Sequence, residues 1–141
     1  MIIEDFHGNL EQRMEKLTGL VSDQSFLIMV GSSFGGLMAS IFACKHPNIV
    51  KKLILLAPAL SLLEFRPYLG HTIEPPAFVY HGKKDDVVPM RPVHDIAERV
   101  FANLVFNVVD DDHVLSRTFE YMDWDDLLEM GTVRLPDKKI L

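Results

Sequence analysis

Four short runs of mainly apolar residues constrain this chain more than any other feature: Ser25 to Val30, Lys52 to Leu56, Ala77 to Tyr80 and Leu104 to Val109. Each is too short for an ordinary helix. None keeps the apolar–polar alternation of a strand with one wet face, so each reads as a strand buried on both faces. Helical patterns separate them. Leu10 to Val21 sets Leu10, Met14, Leu17 and Leu20 or Val21 at helical spacing among Glu11, Arg13, Glu15 and Lys16, with Asn9 as N-cap. Phe34 to Lys45 is apolar with small residues and stops at His46-Pro47, as a buried helix would. Val93 to Phe101 reads as a helix, and Leu115 to Met130 as a last one with Phe119, Met122, Leu127 and Met130 facing the core. Buried strands alternating with helices imply an α/β fold, a three-layer sandwich around a mainly parallel sheet. In such sheets a ligand site lies beyond the carboxyl ends of the strands.

The 141 residues fit one domain, and 48% of them are hydrophobic, enough to fill its core. The net charge of −6 argues against nucleic-acid binding through bulk charge. Much of the acid is local, in Asp110 to Asp112 and Asp123 to Glu129. The single cysteine, Cys44, excludes an intrachain disulfide and reads as a small core residue. The first residues carry acids where a secretory signal needs basic groups, and no apolar stretch reaches the length of a membrane span. A cytoplasmic protein with no membrane partner is the expectation. No repeat, dinucleotide fingerprint or P-loop is present in the sequence, and no cofactor is expected.

Chemistry concentrates where the strands end. Gly31-Ser32-Ser33-Phe34-Gly35, followed by Gly36, matches G-x-S-x-G between a strand and a helix. A turn this sharp exposes the Ser33 hydroxyl at the sheet end and needs small neighbours, because a Cβ would strike strand or helix. It also aims the Phe34 N–H, at a helix N-terminus, toward an oxyanion. The segment His81-Gly82-Lys83-Lys84-Asp85-Asp86-Val87-Val88-Pro89 follows the third strand and offers Asp85 or Asp86 as an acid that could orient an imidazole. Asp110-Asp111-Asp112-His113 follows the fourth and offers His113 as a base. Carboxylates beside a histidine can also bind a divalent ion. Adjacent aspartates point in different directions, however, and no second ligand cluster is spaced to help, so no metal is expected.

The order Ser, Asp, His, each after a predicted strand, resembles that of the α/β-hydrolases. Gly31 to Gly36 looks like their nucleophile elbow, His81 to Pro89 like their acid loop, Asp112-His113 like their histidine loop, and Pro47 to Pro58 like the stretch after the elbow helix. The family pattern H-G-x-x-D-x-x-V-P implies Asp85 as the acid, with Asp86 the fallback. The resemblance implies a serine hydrolase acting on a small or medium ester or thioester, with Ser33 as nucleophile, Asp85 as acid, His113 as base and Phe34 in the oxyanion hole. The alternatives are a non-catalytic remnant serving as an interaction module, or a related triad chemistry such as peptidase or carbon–carbon bond hydrolysis. Residues 1–141 are expected to form one such domain, with Ser61 to Pro76 as a short irregular connection in place of a lid.

The resemblance also implies a strand and a second oxyanion donor ahead of the elbow, and only one helix separates the elbow strand from Met1. Asp5-Phe6-His7-Gly8 reads as the D-x-x-G loop of the next strand, the oxyanion strand being absent. Alternatively, Phe6-His7-Gly8-Asn9 is the oxyanion loop with a deletion after it. Glu4 and Asp5 suit a doubly buried central strand poorly, which favours the first. The expectation is therefore a truncated α/β-hydrolase fold whose elbow strand is an apolar edge, open to pairing with a second copy as a homodimer.

Overall fold

The computed structural model describes residues 1–129 and the backbone of residues 139–140. The four apolar runs are β2 (Leu27–Ser32), β3 (Val50–Leu56), β4 (Ala77–Gly82) and β5 (Leu104–Val109), paired in parallel in that order. Helices α1 (Leu10–Val21), α2 (Phe34–Lys45) and α3 (Met90–Val100) connect them, and a 3-10 helix, Leu63–Tyr68, lies between β3 and β4. Asn9 caps α1 in a reciprocal box with Gln12. Helix α3 begins three residues earlier than its apolar pattern suggests, since Pro92 falls in the first turn, where the missing N–H costs no hydrogen bond.

Alternation along the strands sorts the core into two faces. Leu27, Met29, Leu53, Leu55, Ala77 and Val79 meet Leu17, Leu37, Ile41, Val93 and Ala97 from α1, α2 and α3 in one continuous cluster. Phe65 and Cys44 are buried in the same cluster, and burial pushes the Cys44 thiol up to about 11. Ile28, Val30 and Ile54 face the other way, against Leu127 with Met122, Trp124 and Leu128 beside it. The fold is therefore α/β, with a parallel sheet between helical layers.

The single last helix expected from Leu115 to Met130 is two. Helix α4 spans Ser116–Tyr121 and α5 spans Trp124–Leu127, while Met130 lies outside the described residues. Met122 is extended between them, and the Asp123 carboxylate caps α5 by accepting from the Asp126 N–H. The break lets Met122 and Leu127 reach the sheet. It leaves Phe119 52% exposed, so Phe119 is not a core contact; it lies instead against Trp124, with ring centroids 4.8 Å apart.

The elbow strand is not an open edge over its middle. Among the described residues the sheet order is β1-β6-β2-β3-β4-β5, where β1 is Ile2–Ile3 and β6 is Lys139–Ile140. Strand β6 pairs in parallel with Met29 and Val30 of β2, and with β1 on its other side. The apolar periodicity of two residues is too short to announce such a strand. Asp5 to Gly8 thus follows a strand that is not adjacent to β2, which fits the first of the two assignments of that loop.

Two glycines test how closely α2 is seated. A Cβ at Gly36 would lie 2.7 Å from the Pro58 Cβ and 2.9 Å from its Cα, whereas one at Gly19 in α1 meets nothing within 4 Å. Gly19→Ala is expected to raise stability by about 0.5–1 kcal/mol through helix propensity. Gly36→Ala is expected to lower it by about 1–3 kcal/mol through overpacking. Urea midpoints check both, and equal shifts in the same direction would contradict the packing described.

Candidate active site

Ser33 stands between the end of β2 and the start of α2 with φ 52° and ψ −112°, a conformation that costs an L residue energy and persists only where its surroundings enforce it. The enforcement is visible. The Ser33 N–H donates to Leu56 O at 2.8 Å, and the Ser33 carbonyl accepts from Ala59 N–H at 2.9 Å and Leu37 N–H at 3.2 Å. Gly31 has no room for a side chain, since a Cβ there would stand 2.6 Å from the Gly35 carbonyl carbon and 2.8 Å from Gly36 N. Phe34 occupies the first position of α2, so its N–H has no carbonyl within the helix to donate to. The other positive-φ residues that are not glycine, among those described, are Ala57 and Leu115, in the segments that follow β3 and β5. Backbone strain thus gathers on the edge where the strands end.

Two loops on that edge bring the other predicted residues to Ser33. After β4, the Asp85 Oδ1 accepts from the Val87 N–H at 2.9 Å and the Val88 N–H at 2.8 Å, a tight turn that fixes the carboxylate. After β5, the His113 Nδ1 lies 2.8 Å from Asp85 Oδ2 and its Nε2 lies 3.1 Å from Ser33 Oγ. A carboxylate can only accept, so Nδ1 donates and Nε2 is left to accept from the serine hydroxyl. It is Asp85 that meets His113; Asp86 is exposed. The two loops are joined by backbone bonds, Lys83 N–H to Val109 O at 2.9 Å and Lys84 N–H to Asp111 O at 3.1 Å. They cross so closely at Gly82 that a Cβ would come within 2.7 Å of the Asp112 carbonyl oxygen.

The electrostatics follow from these contacts. The Asp85 side chain is wholly buried. Burial pushes its carboxyl up, but the Val88 N–H, His113 and the Val87 N–H outweigh this and hold it below the usual aspartate value. Asp111 is lowered too, first by the Thr118 N–H and then by the Asp112 N–H, with the Thr118 hydroxyl adding to both. Asp111 thereby ties the His113 loop to the first turns of α4.

Sequence reasoning missed two groups beside the site. Arg13 on α1 places its guanidinium 4.7 Å from the centre of the Phe34 ring and donates from Nε to Gly8 O at 2.8 Å. The i, i+3 pattern of α1 marks Arg13 as solvated and says nothing of which loop it faces. The other is His81, fully buried beneath Asp85; its place before Gly82 in the acid loop was the available signal. The remaining histidines lie elsewhere. His7 is exposed ahead of α1, His46 caps the end of α2, His71 lies tilted against Tyr68, and His94 pairs with Glu98 at 3.3 Å. A groove of about 480 Å³ lies between α1 and α2, lined by Leu10, Met14, Phe42 and Tyr68 among others, and includes none of Ser33, Asp85 or His113.

A parallel sheet with a strained serine between strand and helix, met by loops from the next strands, is the α/β-hydrolase fold, and this chain has it. Residues 8–71 match the family model of the alpha/beta hydrolase fold. Among solved structures, an alpha-beta serine hydrolase homologue from Coxiella burnetii superposes with a TM-score of 0.69 at 22% identity, over 83% of this chain and 58% of that one. A predicted CIB-like hydrolase from Thermoplasma acidophilum gives a TM-score of 0.62 at 23% identity, over 77% of this chain and 52% of that one. Mouse alpha/beta hydrolase domain-containing protein 10 gives 0.64 at 19% identity, over 87% and 72%. The chain therefore spans about half the length of the Thermoplasma protein. No match was found among curated proteins.

The lowered Asp111 carboxyl gives a pH test. A carboxyl whose folded pKa is depressed stabilises the fold above its unfolded value, and that stabilisation fades as the pH falls through the folded value. Asp111→Asn should lower the denaturation midpoint at pH 7, and its gap to the unaltered chain should narrow below about pH 4. A gap that stays constant from neutral to strongly acid pH would contradict this role.

Proposed function

We propose that this chain is a serine hydrolase that cleaves small or medium esters or thioesters through an acyl-enzyme. The observation that carries the proposal is His113, which spans Ser33 Oγ at 3.1 Å and Asp85 Oδ2 at 2.8 Å, beside a serine held at positive φ. In the proposed reaction, Ser33 Oγ attacks the substrate carbonyl carbon while His113 Nε2 takes the hydroxyl proton. Asp85 keeps Nδ1 protonated and stabilises the imidazolium that forms. The Phe34 N–H, at the positive end of α2, donates to the oxyanion. The tetrahedral intermediate collapses as His113 gives its proton to the departing alkoxide or thiolate, leaving the acyl group on Ser33. His113 then takes a proton from water, whose hydroxide attacks the acyl carbon, and the acid leaves as Ser33 recovers its proton.

The substrate class rests on the shape of the β3–β4 connection. Its 3-10 helix buries Phe65 completely in the main core, so the segment is seated on the body of the fold, while Leu62 and Leu63 remain exposed. A short connection seated in this way favours an open site and acyl groups of modest length.

The test is hydrolysis of p-nitrophenyl esters of increasing chain length. Butyrate is expected to be cleaved and palmitate to be cleaved poorly. Ser33→Ala and His113→Ala should each lower the rate by at least about a thousandfold, and Asp85→Asn by a comparable factor. Undiminished hydrolysis by Ser33→Ala would overturn the mechanism. A folded chain inert toward all these esters and toward peptide and carbon–carbon substrates would favour a non-catalytic interaction module.

A further inference from the structure

His81 is wholly buried, one residue before the end of β4. Its ring is stacked nearly parallel to Phe106, with centroids 6.3 Å apart and planes 12° apart. The Nε2 atom lies 2.9 Å from Val88 O and 3.3 Å from Asp85 Oδ2. Both neighbours can only accept, so the proton sits on Nε2; it is donated to Val88 O, with Asp85 Oδ2 lying close beside it. Nδ1 is buried and has no hydrogen-bond partner among the described residues. A buried polar atom left unsatisfied is destabilising, and an apolar ring would fill the same space beside Phe106 without that cost. The imidazole is therefore kept for what Nε2 does.

What Nε2 does is complete the surroundings of Asp85. Oδ1 takes two N–H groups, from Val87 and Val88, and Oδ2 takes the His113 Nδ1–H, with His81 Nε2 standing 3.3 Å away on another side. Val88 closes the arrangement, since its N–H donates to Asp85 while its carbonyl accepts from His81. We infer that His81 is a positioning residue, whose Nε2–H anchors Val88, and through it the Asp85 carboxylate, and offsets part of the charge on the oxygen that faces His113. This inference rests on the reading of Ser33, Asp85 and His113 given above and assigns that site a fourth member, which acts through Asp85 without touching substrate.

The effect has a direction. With His81 present, the Nε2–H dipole 3.3 Å from Oδ2 offsets part of its negative charge. Without it, that charge falls on the His113 N–H alone and favours the imidazolium, so His113 becomes a usable base only at higher pH. Of the other charged groups on the elements around this pair, Lys83, Asp86 and Arg91 are exposed, and the rest have partners of their own. Lys84 is 3.2 Å from Asp110, His94 on α3 touches the far side of Phe106 and pairs with Glu98, and Asp111 and Asp112 accept N–H groups from their own loop and from α4.

The experiment is the pH dependence of acylation by p-nitrophenyl acetate, followed as the pre-steady-state burst in the full chain, His81→Phe and His81→Gln. Phenylalanine keeps the stack on Phe106 and lacks the donor; glutamine carries an amide N–H at about the reach of the imidazole Nε2. In His81→Phe the acid limb is expected to move to higher pH by about half a unit or more, with a plateau rate lower on the order of tenfold and KM little changed. His81→Gln should restore both. A merely structural role would remove active protein equally at every pH and leave the limb in place, and that result overturns the inference, as does a folded His81→Gln that behaves like His81→Phe. If His81→Phe does not fold, His81→Asn replaces it, since its shorter amide stops short of Oδ2. Absence of any Ser33-dependent burst in the unaltered chain overturns the reading of the site and this inference together; a normal burst with an unmoved limb in His81→Phe overturns the inference alone.

Discussion

The crossing of β2 into α2 governs the rest of the molecule. Strand and helix approach until Gly31 lies against the Gly35 backbone and Gly36 against Pro58, with no space for a Cβ at either glycine. That closeness forces Ser33 to positive φ and turns its side chain off the end of the sheet. It also determines what must hold the turn, namely the backbone bonds from Ser33 to Leu56, Ala59 and Leu37. The parallel register of β2 on β3 carries Ser32 alongside Leu56, so the elbow and the end of β3 are built as one unit. A strained turn can be kept because the core beneath it, from Leu27 and Met29 through Leu37, Leu53 and Val79, is continuous.

From that fixed point the site is a matter of topology. Parallel strands all end on one edge, so loops far apart in the chain meet there. Asp85 is 28 residues from His113, and His113 is 80 from Ser33, yet each pair is within hydrogen-bond distance. The two loops that carry Asp85 and His113 are pinned to each other by backbone bonds, and Gly82 is the place where one passes over the other. Asp111 secures the histidine loop from behind through Thr118. Most of the polar contacts around Ser33, Asp85 and His113 thus serve to immobilise those three side chains.

Much of this was legible in the sequence because it depends on local pattern. Apolar runs without alternation marked the four parallel strands, and the glycine spacing at Gly31 to Gly36 marked the turn; β2 and most of β3 are buried on both faces, but β5, expected to be buried likewise, is the sheet's edge and leaves Val105 and Val108 each 46% exposed. What escaped depends on distant partners. The break at Met122–Asp123 has a local cap, but its purpose, seating Leu127 on Ile28 and Val30, is set by the sheet. The place of β6 beside β2 rests on two residues, too few to carry a period. His81 was visible as the first residue of the acid loop, yet only the fold reveals that its Nε2 faces the same carboxylate oxygen as His113.

The proposed chemistry requires Ser33 to be an activated nucleophile. Intact-mass analysis after treatment with a fluorophosphonate tests it most directly, since the reagent adds covalently to a serine hydroxyl only where a neighbouring base and an oxyanion donor assist. A single adduct per chain is expected, absent in Ser33→Ala. A folded chain that takes up no adduct, or one labelled equally well in Ser33→Ala, would contradict it.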